Sequence, residues 1–237
     1  MEMINKIYEN IKKFIKENLW FFISLIAIFL FFNFELPYKI ETPGGYISLD
    51  ERIKIDDIDN KSNFGMAYVS MLKGNIPFTL LSFIIDDWDL VETDDLKYDK
   101  ETMNDLNVRQ KLYMNESISN ATYSAYKLAN KEVNILNTKV YVSYNDNENS
   151  SLKVGDNIIS VNDFEVSSLK ELQDYLDTLE LNKTYIVKVI RNNKEENEEV
   201  ILKEYDGHKR LGVTIINNYE LDSNPKIEID SKENESG

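Results

Sequence analysis

Apolar positions change their rhythm along this chain. From Leu19 to Phe32 ("LWFFISLIAIFLFF") only Ser24 is polar, and Phe14 and Ile15 carry the run backwards past Lys16, Glu17 and Asn18. Counted from Phe14 to Phe34 it spans 21 residues, close to the ~20 a helix needs to cross a bilayer. Aromatic side chains on every face leave no polar side for water, so the pattern predicts a membrane helix. Beyond it the period shortens. "RIKIDDI" (52–58) and "FGMAYVSML" (64–72) read as strands, and "ETPGGYISL" places Pro43, Gly44 and Gly45 in a turn between extended segments. Pro77 opens a short helix through "FTLLSFII". Between 99 and 131 the period lengthens again. Met114, Ile118, Ala121, Ala125 and Leu128 recur at intervals of three and four, one helical stripe with small residues at 121, 125 and 129.

The second half repeats strand-like alternation around two polar punctuation marks. "TKVYVSY" (138–144) predicts a strand, and after the polar run "NDNENSS" the residues Leu152, Val154, Ile158, Ile159 and Val161 flank Gly155-Asp156. Gly155 supplies the permissive backbone of a tight turn, and Asp156 can accept hydrogen bonds from nearby amides. "NIISV" is then a short strand. Asn162-Asp163 turns the chain so that Phe164 and Val166 cover the same core. Ser168 with Glu171 three residues on forms a capping box, and Leu169, Leu172, Tyr175, Leu176 and Leu179 fall on one helical face. "TYIVKVIRN" and "EEVILKE" close the unit as strands around a polar hairpin at 192–196. The class is α+β.

Charge and composition remove several functions. A net charge of -15 with pI about 4.6 repels a phosphate backbone, and no Lys/Arg stripe offers a local exception, so nucleic acid is not the partner. The absence of cysteine removes disulfides, thiolate zinc sites and cysteine nucleophiles together. His208, the single histidine, cannot build a histidine metal cluster or a Ser/His/Asp triad. The acidic set Asp86, Asp87, Asp89, Glu92, Asp94 and Asp95 reads as a solvated face. A calcium loop starting at Asp146 would need Gly and Glu where Ser151 and Asn157 stand. No phosphate-binding Gly-x-x-x-x-Gly-Lys-Ser/Thr loop is present, so no cofactor is expected. Lys6, Lys12, Lys13 and Lys16 before the apolar run predict a cytoplasmic N-terminus under the positive-inside rule. No Ala-x-Ala pattern follows, which makes the segment an uncleaved single-pass anchor with the remainder extracytoplasmic.

The order strand, Gly-Asp turn, short strand, polar turn, capped helix and hairpin resembles a bacterial PDZ domain. Leu152, Gly155, Asp156, Ile158, Val161, Asn162, Leu172, Leu176 and "VKVIRN" (187–192) carry the likeness, over about Val133 to Ile216. It implies a partly open β-barrel or sandwich capped by helices, and binding of an extended peptide or unfolded protein segment by addition to a sheet edge. By that resemblance the accepting strand is Val140, Tyr141, Val142, Ser143 and Tyr144, and the pocket wall is Leu172, Tyr175 and Leu176. The same helical stripe is also what a purely buried face requires. The loop before the strand, "NILNTK", lacks the Gly usual in a PDZ carboxylate-binding loop.

Together with "YKIETPGG" (38–45), "SNFGMAYVSM" and the "MNESISNATYSAYKLA" helix, these features resemble the membrane-anchored PDZ and Lon-like serine protease family of bacteria, the YlbL and SepM type. In that family strands like "RLGVTII" (210–216) and "PKIEID" (225–230) lead into a proteolytic domain with a Ser-Lys dyad. The sequence ends at "SKENESG", where Ser236 has no following strand or helix to build an oxyanion hole, so no catalytic residue is expected. The expected organisation is a cytoplasmic N-terminus (1–18), an anchor (19–36), an α+β region (37–132), a PDZ domain (133–216) and the start of a protease domain or a tail (217–237). The expected function is the tether and substrate-recognition part of such a protease, with a separate protease domain as partner. The alternative is a free-standing PDZ adaptor.

Overall fold

The computed structural model describes residues 2–56 and 63–231. Its helices are α1 (Glu2–Glu17), α2 (Leu19–Asn33), α3 (Ile76–Ser82), α4 (Met103–Leu128) and α5 (Leu169–Thr178). Its strands are β1 (Glu35–Ser48), β2 (Ile53–Ile55), β3 (Gly65–Asn75), β4 (Asp89–Glu92), β5 (Glu132–Asn145), β6 (Asn157–Val161), β7 (Phe164–Glu165) and β8 (Thr184–Arg191). They continue with β9 (Lys194–Ile201), β10 (Lys203–Tyr205), β11 (His208–Arg210), β12 (Val213–Asn224) and β13 (Ile227–Ile229). Two compact units result, Met1–Tyr46 with Ala67–Leu96, and Ile47–Met66 with Lys97–Gly237. The boundary between the two units falls within the region 37–132.

In the first unit the long apolar run is not one helix. It breaks at Asn18, and the segments Lys6–Glu17 and Leu19–Asn33 meet at 72°. No single described helix is long and apolar enough to cross a membrane, although the bent pair passes together. The 15 residues of α2 give about 22 Å at 1.5 Å per residue, short of a ~30 Å hydrocarbon core. None of its side chains is buried. A three-stranded sheet, β3-β1-β4, follows. Pro43, Gly44 and Gly45 do not turn the chain; they lie inside β1. A Cβ on Gly44 would stand 2.1 Å from the Tyr68 carbonyl oxygen, and one on Gly45 3.1 Å from the Tyr68 hydroxyl. These glycines serve close approach by Tyr68 of β3. Asn75 caps α3, its side chain accepting from the Phe78 N–H at 2.9 Å with Pro77 just inside the helix start.

The second unit is built on a six-stranded antiparallel sheet, β12-β5-β6-β8-β9, with β7 paired to β6. Terminal strands remain at both sides, so the sheet does not close into a barrel. Val140, Val142, Leu152, Ile158, Val161, Val187, Val189 and Val200 form the core under α5. β13 pairs with β2, and Arg52 Nη1 donates to the Asp230 carbonyl at 3.0 Å. α4 packs on β12 and β5, but in a different phase from the expected stripe. Leu106, Arg109, Leu112, Ser119, Thr122 and Tyr126 face inward, whereas Ala121, Ala125 and Leu128 are exposed. Met114 and Ile118 are half-buried at the border of the inward face.

Arg109 belongs inside because Glu101 meets it there. Its Nε and Nη2 donate to Glu101 Oε1 and Oε2 at 2.6 and 2.8 Å, and its guanidinium lies 4.0 Å from the Tyr98 ring centroid. Burial raises the Glu101 carboxyl pKa, but the bonds from Arg109 and the Tyr98 N–H outweigh it and hold the group below its ordinary value.

Candidate functional site

A sheet that accepts an extended peptide needs a strand edge without a partner and a neighbouring element to read side chains. The expected strand offers no such edge. Over Val140 to Val142, β5 bonds to β12 on one side and to β6 and the Gly155 turn on the other. Val140, Val142 and Ser143 are buried, and Ser143 Oγ donates to the Thr214 carbonyl at 3.3 Å. Tyr141 is half-buried opposite Ile216 and Asn157. Tyr144 packs edge-on against Tyr98 and donates its hydroxyl to the Asp99 carbonyl at 2.8 Å. A mid-sheet position cannot accept another strand, so the assignment of Val140–Tyr144 as the accepting edge is corrected.

The expected wall fares similarly. Leu172 and Leu176 are 1% and 2% exposed, members of the core, and Tyr175 stacks on Phe164 at 4.3 Å between ring centroids. These three hold α5 down. Leu169, one turn before Leu172, is half-buried at the margin of the same core, as are Val213 and Ile215 of β12.

Two edges terminate the sheet, and they differ. Beside β9 the loop at 149–151 closes in: Ser150 bridges to Val200, and the Ser151 N–H donates to the Glu199 carbonyl at 3.1 Å. β9 also carries Glu195, Glu196, Glu198 and Glu199, a charged edge of the kind that discourages pairing. β12 has no strand on its outer side among the described residues. Its sequence from Val213 to Asn218, "VTIINN", is uncharged. This edge has no strand neighbour, although α4 packs on β12 and Glu116 accepts there from the Asn217 N–H.

α5 is fixed beside the entrance to β12 by a clamp onto β11. Gln173 Nε2 donates to the Lys209 carbonyl at 3.0 Å, and the Lys209 N–H donates to Asp177 Oδ1 at 2.8 Å. His208 Nδ1 stands 2.7 Å from Asp177 Oδ2. Lys209 Nζ donates to the Asp177 carbonyl at 2.9 Å and also to that of Leu179. The bond to His208 and then that from the Lys209 N–H hold the Asp177 carboxyl below its ordinary value. From β11 the chain enters β12 through Leu211, whose side chain is buried, and Gly212 at φ +71°. Asn147, buried in the polar "NDNENSS" loop, donates from Nδ2 to the Leu211 carbonyl at 3.0 Å. A Cβ on Gly212 would lie 2.6 Å from that same nitrogen. The loop thus shapes the entrance to the edge.

Gly155 and Asp156 act one layer further in. Gly155 adopts φ +95° and donates to the Val142 carbonyl at 2.8 Å. Asp156, fully buried, accepts from Arg191 Nε and Nη2 at 2.7 and 2.6 Å and from the Lys153 N–H at 2.7 Å. Its carboxylate keeps the Arg191 guanidinium protonated well beyond its ordinary range. The pair welds the Gly-Asp turn to β8. Among the described residues no group of His, Asp or Glu could hold a metal ion. Ser236 lies outside the described residues.

The signal for β12 was present in the sequence as "RLGVTII", a glycine before an apolar strand, the feature missing from "NILNTK". Local pattern cannot say which strand ends a sheet, and that decided the matter.

Comparison with known families matches a PDZ domain over residues 100–202, from just before α4 to just before β10. Among solved structures, the PDZ domain of the SdrC-like protein from Listeria monocytogenes is similar at 22% identity, over 32% of this chain and 86% of that one, with a TM-score of 0.30. No curated protein matches. A PDZ domain is present in this chain.

Proposed function

We propose that this chain is a membrane-tethered PDZ protein that holds extended peptide segments along the outer edge of β12, as the anchor and substrate-recognition part of a Lon-like exported protease. One observation carries the binding reading: β12 is a terminal strand, uncharged from Val213 to Asn218, whose entrance is clamped to α5 through Asp177, His208 and Lys209. A peptide added there gains main-chain hydrogen bonds from β12 and side-chain contact from Leu169, Val213 and Ile215. Support for the protease link is the sequence resemblance around "YKIETPGG", "RLGVTII" and "PKIEID".

Support for the tether comes from the N-terminal pair. α2 is apolar on all sides, and α1 sets Ile7, Ile11, Phe14 and Ile15 apart from Lys6, Lys13 and Lys16, the division of a helix lying in a membrane interface. The 72° bend suits one helix along the surface and one inserted. On this reading α1 faces the cytoplasm and the PDZ unit is extracytoplasmic.

The test is a titration of the full chain in micelles with fluorescent peptides drawn from envelope proteins, each with a free or amidated C-terminus. Leu169→Asp weakens binding by about tenfold, roughly 1.4 kcal/mol, while Tyr205→Ala leaves it unchanged. Failure of every extended peptide to bind contradicts the reading, and so does equal affinity of the Leu169→Asp variant.

A further inference from the structure

The first unit carries a second apolar surface that the tether does not account for. Asn75 Nδ2 donates to the Phe32 carbonyl at 3.0 Å, which sets the start of α3 against the last turn of α2, and the two helices pack together. From Asn75 to Ile85 the sequence "NIPFTLLSFII" holds no charged residue, and Lys73 and Asp86-Asp87 bracket it. Phe78 packs edge-on against Trp88, with ring centroids 6.2 Å apart, and stays partly open. Ile76 and Ile85 are half-buried, whereas Leu80 is 54% exposed, Phe83 74% and Ile84 75%.

Water is a poor solvent for that surface, since each such side chain left open forgoes the free energy of its burial. The neighbourhood names the solvent instead. The patch adjoins α2, whose faces are apolar and exposed except at the half-buried Phe22, and the Lys73–Glu35 ion pair with Asp86-Asp87 marks where polar groups resume. The polar side chains of Asn75 and Ser82 are taken up within the segment itself, and the patch offers no charge for a protein partner to meet. α2 alone reaches about 22 Å, so an apolar shoulder at its C-terminal end meets the need of a short span for further apolar surface at the boundary.

We infer that α3 and the Phe83-Ile84 turn dip into the lipid beside the end of α2, forming a second membrane contact. The inference rests on the reading above that α2 sits in a bilayer. Because the chain lacks cysteine, single-cysteine labelling reports one site at a time. Full-length Ile84→Cys, Phe83→Cys, Phe29→Cys and Asp95→Cys proteins are labelled with an environment-sensitive fluorophore and reconstituted into phosphatidylcholine/phosphatidylglycerol vesicles. Each is then exposed to a lipid-borne quencher or to iodide. The inference expects labels at 83 and 84 to be quenched by the lipid-borne probe within about twofold of the label at 29, and the label at 95 to answer to iodide. Iodide quenching at 83 and 84, with the label at 29 still in lipid, overturns the second contact and leaves the tether standing. Shielding of 83 and 84 from both quenchers indicates a protein contact and also overturns it. Iodide quenching at 29 removes the tether and this inference with it.

Discussion

In the unit formed by Ile47–Met66 and Lys97–Gly237, Val140, Val142, Val161, Val187, Val189 and Val200 are fully buried and Leu172 nearly so. In the unit formed by Met1–Tyr46 and Ala67–Leu96, Ile40 is the one buried hydrophobic side chain among the described residues, while Val69, Leu80, Phe83, Ile84 and all of α2 except the half-buried Phe22 stand open. Both units are rich in apolar residues, so composition does not separate them. What separates them is where the apolar surface goes. The PDZ unit makes its own interior, and the edge we propose for a peptide lies on its terminal strand β12. The N-terminal unit has almost no interior, and that exposed apolar surface is what supports the membrane contact we propose for it.

Substitutions break or sharpen that contrast in a definite order. The largest effect falls on the buried ion pair. Arg109→Ala leaves Glu101 charged and unpaired in the interior, and the PDZ unit loses about 3–5 kcal/mol, read as a lower denaturant midpoint of the full chain in micelles. Replacing both partners at once, Arg109→Met with Glu101→Leu, restores most of it. Leu172→Ala follows at about 2–5 kcal/mol through its cavity; a cost below about 1 kcal/mol would mean that α5 is not seated as described. Gly212→Ala forces a Cβ toward Asn147 at positive φ and costs about 1–3 kcal/mol, with faster hydrogen exchange at the start of β12. At the far end, Leu80→Ala in the N-terminal unit changes stability in micelles by no more than about 0.5 kcal/mol, the direct counterpoint to Leu172.

A pH titration probes the clamp that positions α5. The Asp177 carboxyl is held below its unfolded value, so its contribution is complete above about pH 4 and fades only as pH falls through the lowered folded value. Hydrogen exchange at the Lys209 N–H, whose acceptor is Asp177, stays slow from neutrality down to that range and quickens below it.

Much of the PDZ unit was legible because its local signals agree with its tertiary structure. The Ser168 cap, the turn at Asn162 and the hairpin at Asn192-Asn193, both asparagines at positive φ, each announce themselves in a few residues. Three features were not legible for the same physical reason, that they are settled by partners distant in sequence. Tyr68 turns Pro43–Gly45 from an apparent bend into strand; Glu101 and Tyr98 draw Arg109 inward and rotate α4; and β12, pairing with β5 from across the chain, takes the edge that Val140–Tyr144 was expected to offer. The break at Asn18 was hidden differently, since hydropathy measures length along the sequence and not along an axis.

The central claim is that the outer edge of β12 is where a foreign main chain adds. Hydrogen exchange of the full-length protein, with and without a bound extended peptide, tests it most directly. The account predicts slowed exchange across residues 211–219 and unchanged exchange across β9; protection confined to β9, or binding that leaves 211–219 as fast as before, would contradict it.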